Sequence, residues 1–160
     1  MRVPIIRIEF SEEDLAFIRS ATEEVLRSGM LTLGKYTQAL EEAFAAFAGA
    51  KHALAVNSGT SALEVIARGL DLEGCSVVVP TNTFMATAFA AMQPGNRVIF
   101  ADCDRETLAL DPSDVEKRLA PDTKAIILVH IGGVVSPASF ALRQLCDARG
   151  LKLIEDCAHA

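Results

Sequence analysis

No apolar run in this sequence approaches transmembrane length; Asp, Gly, Pro or Arg interrupts the most apolar stretches within about ten residues. A membrane span is therefore not expected. The opening MRVPIIRIEF holds no apolar core of leader-peptide length, and two acids follow it closely. Positive charge is also in short supply. Lys and Arg number 15 against 21 Asp and Glu, a net charge of −6, which argues against nucleic acid or an anionic membrane as partner. There is no C-x-x-C pair. Cys75, Cys103, Cys146 and Cys157 are scattered and fit neither a zinc site nor a disulfide framework. They read as small, reduced, partly buried residues of a cytoplasmic protein, and no metal site is expected. Internal repeats and low-complexity linkers are absent, as are G-x-G-x-x-G and a Walker loop.

The 160 residues suit one ordinary domain, and 51% hydrophobic with 22% charged residues suits a globular one. Residues 11–28 form an amphipathic helix pattern with Leu15, Ile18, Thr22, Val25 and Leu26 on one face, Ser11 as N-cap and Gly29 as stop. TQALEEAFAAFAG forms a second helix, closed by Gly49. An alternation then begins. Strands are expected at 52–57, 75–80, 96–102, 123–133 and 151–156, with four helices between them; Asp111 and Ser136 serve as N-caps. Short runs rich in Val, Ile and Leu, apolar on both faces, mean strands covered by helices on two sides. The expected fold is therefore α/β, three-layer α/β/α around a mostly parallel sheet. Residues 1–50 are read as an N-terminal helical segment and 51–160 as the sheet domain.

Ligands of open α/β sheets sit beyond the carboxyl ends of the strands. NSGTSAL follows one strand there. The amides of Gly59, Thr60 and Ser61 would be free donors at a helix start, which suits an anion, although Ser and Thr at such a place also serve as ordinary caps. Phe84 follows another strand, where its ring can stack on a flat ligand or belong to the core. Asp156 ends an apolar strand. A carboxylate there is costly without a cation, and Lys152, about 13 Å back along the strand, is too far to pair with it. Two readings stay open for Asp156: a cap for a following turn, or the partner of a ligand cation such as a protonated pyridine nitrogen.

These segments together resemble the DegT-type sugar aminotransferases, fold-type-I enzymes that use pyridoxal phosphate. The resemblance covers nearly the whole chain and includes VLRSGMLTLG, LEEAFAAFAGAKHALAVNSGTSAL, DPSDVEKRLAPDTKAIILVH and LKLIEDCAHA. It implies part of the large domain of an aspartate aminotransferase-like fold. It implies that Gly59, Thr60 and Ser61 hold the cofactor phosphate, that Phe84 stacks on the pyridine ring, and that Asp156 pairs with the ring nitrogen. His159 then stands near the cofactor's phenolic oxygen. Thr32 and His130 are placed on the substrate side; for His130 a structural hydrogen bond is an equal alternative. In the family, an amino acid such as glutamate gives its amino group to a keto-sugar nucleotide, and the active sites form in a homo-oligomer.

One feature of the family pattern is missing. The lysine that forms the Schiff base follows the ED..HA strand in the family, and none of Lys35, Lys51, Lys117, Lys124 and Lys152 matches that motif. The expectation is that this chain has no catalytic lysine and is inactive alone, with cofactor binding weak or absent. The small C-terminal domain of the family is likewise expected to be missing. Two other functions remain open: a naturally short, non-catalytic binding protein built on the same half-fold, and an unrelated doubly wound nucleotide-binding domain.

Overall fold

A computed structural model describes residues 7–160; residues 1–6, part of the stretch read for a leader peptide, lie outside the described residues. The chain divides into two compact units, Met1–Ala55 and Val56–Ala160.

The first unit holds α1 (Glu12–Ser28) and α2 (Lys35–Ala48). Helix α1 starts as its sequence predicts. The Ser11 hydroxyl accepts from the Asp14 amide, and the Asp14 carboxylate accepts from the Ser11 amide. Gly29 closes it in the left-handed region at φ 70°. The face differs from the expected one. Leu15, Ala21 and Val25 are half-buried, whereas Ile18, Thr22 and Leu26 are exposed. Tyr36 packs edge-on against Phe17, and its hydroxyl donates to Glu24, which also pairs with Lys35. These contacts tie the start of α2 to the end of α1.

The second unit holds α3 (Gly59–Gly69), β1 (Ser76–Pro80), α4 (Met85–Met92), β2 (Arg97–Ala101), α5 (Pro112–Arg118), β3 (Thr123–Val129), α6 (Ala138–Arg149) and β4 (Lys152–Asp156). All strand pairs are parallel, in the order β2-β1-β3-β4. Val77, Val79, Ala125, Ile127 and Ile154 face α3 and α4 in one core. Val78, Ile126 and Leu128 face α5 and α6 in the other, with Leu142 and Cys146 fully buried against them. The three-layer α/β/α fold is thus as expected, because β1 and β3 carry apolar side chains on both faces.

Two expected strands come out differently. Residues 52–57 form no strand. A strand exists only through a ladder partner, and among the described residues none pairs with this segment, which leaves Leu54 64% exposed. The strand expected over 123–133 stops at Val129. Gly132 and Gly133 take positive φ, 65° and 78°, and turn residues 131–133 into a single 3-10 turn. The start of α6 also moves by a residue: Pro137 occupies the cap position, and the Ser136 hydroxyl accepts from the Ala138 amide.

Asn96, expected as a strand residue, is instead a buried polar tie. Its amide group donates to the carbonyls of Leu72 (2.8 Å) and Ala91 (3.0 Å), and its carbonyl accepts from the Cys75 amide (3.1 Å). It joins the loop before β1, the end of α4 and the start of β2. Asn96→Ala would leave two buried carbonyls and one amide without partners. Each such group costs about 1–3 kcal/mol, so the variant is expected to lose at least about 2 kcal/mol. Urea unfolding measures this, and an unchanged midpoint would contradict it.

Candidate functional site

The site is built at the carboxyl ends of β1, β3 and β4. Side chains alternate along a strand. Register pairs Ile127 with Ile154, on the α3/α4 face, and Val129 with Asp156 two steps on. Asp156 therefore shares the α3/α4 face. Thr87 of α4 meets it there, its hydroxyl donating to Asp156 Oδ2 at 3.2 Å and lying 2.8 Å from the Thr83 hydroxyl. The other oxygen, Oδ1, accepts from the Ala158 amide at 3.1 Å. Of the two sequence readings the cap is present, through the Ala158 amide, and the half-buried carboxylate is also anchored by a helix. Each oxygen still has a lone pair for a further donor.

Phe84 sits at the N-cap position of α4 and is 79% exposed, so it is not a core residue. Its ring is available for stacking on a planar ligand. At the start of α3, Ser58 caps the helix and accepts from the Ser61 amide, while the Ser61 hydroxyl donates to Asn57. Of the three amides expected as anion donors, that of Ser61 is thus already engaged. The amides of Gly59 and Thr60 lie in the first turn, where the helix offers no internal acceptor. A Cβ built on Gly59 would meet nothing within 4 Å, so the approach to these amides is open. A half-buried, anchored carboxylate can meet a protonated ring nitrogen, an exposed phenyl face can stack on a planar ring, and an open helix start can meet a phosphate.

The other two residues near this end have different surroundings. His159 Nδ1 accepts from the Gly132 amide at 3.1 Å, which fastens the chain after β4 to the turn after β3. A Cβ on Gly133 would lie 2.5 Å from the His159 carbonyl oxygen, so the turn closes this tightly only with glycine. His130, placed on the substrate side by resemblance, stands on the opposite sheet face from Asp156. It lies one register step beyond Val129 and therefore faces α5/α6 with Leu128. Its ring is buried and Nε2 lies 3.0 Å from Glu155 Oε2. The structural hydrogen bond is the alternative that the geometry supplies. Thr32 belongs to the first unit and lines there a pocket of about 270 Å³ with Glu24, Ser28, Lys35 and Tyr36.

Burial pushes the thiols of Cys75 and Cys146 above the usual range. The Cys157 thiol is pushed up by burial and then by the carboxylates of Glu155 and Asp156. Lys124 and Lys152 stand at the amino ends of β3 and β4, the far side of the sheet from Asp156. Sequence reasoning missed Thr87 as the anchor of Asp156. Its i, i+4 spacing from Thr83 across a helix start was the available signal. No helix among the described residues is long and apolar enough to cross a membrane.

The sequence profile of the DegT/DnrJ/EryC1/StrS aminotransferase family matches residues 13–160. Solved structures similar to this chain include the following three. DesV of S. venezuelae, determined in complex with a ketimine intermediate, is 33% identical, with a TM-score of 0.79 over 91% of this chain and 40% of its own. NtdA of Bacillus subtilis, with the cofactor PMP bound, is 31% identical, with a TM-score of 0.85 over 92% of this chain and 34% of its own. DesI, determined in the presence of its TDP-sugar product, is 33% identical, with a TM-score of 0.83 over 92% of this chain and 37% of its own. The chain thus spans 34–40% of the length of these relatives.

Proposed function

The chain belongs to the DegT/DnrJ/EryC1/StrS aminotransferase family, and from that premise we propose that it supplies the cofactor side of a pyridoxal-phosphate-dependent sugar aminotransferase site. The observation that carries this reading is the anchored Asp156 carboxylate, held by Thr87 at the carboxyl end of a parallel strand. When bound, pyridoxal phosphate supplies the electron sink that amino transfer requires. Asp156 would pair with the pyridine nitrogen, and Thr87 fixes the carboxylate for that bond. Phe84 would stack on one face of the ring. The Gly59 and Thr60 amides, at the positive end of α3, bind the phosphate. His159 braces the turn after β4 that follows Asp156.

The acceptor is proposed to be a keto-sugar nucleotide and the donor an amino acid such as glutamate; the TDP-sugar product found with DesI supports the acceptor class. Among the described residues no lysine lies at the carboxyl ends of the strands of the second unit. This favours, for these residues on their own, binding without turnover. The outer edges of β2 and β4 have no ladder partner among the described residues, which supports self-association.

The test is a titration of the chain with pyridoxal phosphate followed by absorbance, then dialysis. Saturable binding that dialysis removes is expected. No saturation would contradict the proposed site, and a spectrum that survives dialysis would contradict non-covalent binding.

A further inference from the structure

We propose that the α5/α6 face of the β3–β4 edge carries a divalent transition-metal site made of His130, Glu155 and Cys157. One ring nitrogen of His130, a carboxylate oxygen of Glu155 and Cys157 Sγ all lie within 4.8 Å of one another. The fold puts them there for a simple reason. Glu155 and Cys157 are two residues apart at the end of β4, so their side chains leave the same face. The parallel register ends with Val129 opposite Asp156, so His130 and Cys157 are the next residues on two neighbouring strand ends. The His130 amide donates to the Asp156 carbonyl at 3.1 Å and fixes the start of the turn after β3 against the end of β4.

The donor set defines the ion. One imidazole nitrogen, one carboxylate oxygen and one thiolate suit Zn²⁺ or Co²⁺ and do not suit Mg²⁺ or Ca²⁺, which take oxygen ligands. Three protein ligands leave a fourth position for water. His130 Nε2 and Glu155 Oε2 stand 3.0 Å apart, and two of the three side chains have room to adjust around an ion. Glu155 is 42% exposed and Cys157 is exposed, while His130, only 2% exposed, supplies a fixed point. A second observation concerns the same ring. His130 Nδ1 is buried and has no hydrogen-bond partner. The ring thus keeps hydrogen-bonding capacity that the protein does not use, in an interior where such groups are normally paired. Binding would release the thiol proton of Cys157 to solvent as the thiolate joins the ion.

This site lies on the sheet face opposite Asp156 and needs no bound cofactor, so its test is independent of the aminotransferase reading. The chain, reduced and freed of metal, is titrated with Co²⁺ and with Zn²⁺. The expected result is one ion per chain and, with Co²⁺, a thiolate-to-metal charge-transfer band. Cys157→Ser should remove that band. Cys157→Ser and Glu155→Gln should each weaken binding about tenfold or more. Both replace accessible side chains, and circular dichroism checks that they fold. No binding by the parent chain would overturn the proposal. So would binding that both variants retain at full strength, since the ion would then sit on other residues.

Discussion

Asparagine in place of Asp156 is expected to weaken pyridoxal phosphate binding about tenfold or more. In the proposed site this carboxylate is the group that would balance a protonated ring nitrogen from the α3/α4 face. A hydrogen bond to a charged group contributes about 1.5–3 kcal/mol, and about 1.4 kcal/mol is a factor of ten. The half-burial of Asp156 places the effect toward the lower end of that range, because water screens a partly open pair. Asparagine keeps an oxygen able to accept from Thr87, so the local fold should survive; a thermal melt checks this. Equal affinity of parent and variant would mean that Asp156 serves only the turn, through its bond to the Ala158 amide.

The second large effect is an absence of turnover. With pyridoxal phosphate, glutamate and a panel of keto-sugar nucleotides, these 160 residues alone should give no amino transfer above the rate of the free cofactor. The step needs an amine that moves a proton at the cofactor's reactive carbon. Lys117 lies in α5 on the other sheet face, and Lys124 and Lys152 stand at the amino ends of their strands. Steady turnover would contradict this. So would borohydride trapping of the cofactor on one particular lysine.

Much of this was legible in the sequence because the signals are local. The capping box at Ser11, the Asp111 cap before Pro112 and the apolar runs of β1 and β3 depend on neighbouring residues only. What the sequence hid depends on partners far along the chain. Residues 52–57 have strand composition, yet a strand needs a ladder, and composition does not supply one. His130 lies inside residues 123–133, which read as one eleven-residue strand; two glycines at positive φ turn the chain after Val129. Which face His130 takes is settled by the β3–β4 register, and that same register separates it from Asp156 and joins it to Glu155. Asn96 reads as a polar strand start, and only the packing of α4 and the loop before β1 reveals its three partners.

The central claim is that Asp156, Phe84 and the start of α3 together form a cofactor cup. Amide chemical shifts of the isotopically labelled chain, followed while pyridoxamine phosphate is added, test it most directly. This form of the cofactor carries an amine in place of the aldehyde, so it cannot condense with surface lysines. The expected result is saturable shifts confined to Gly59, Thr60, Phe84 and the residues around Asp156, with a single affinity for all of them. Shifts at Gly59 and Thr60 with none around Asp156, or no saturable shifts at all, would contradict the account.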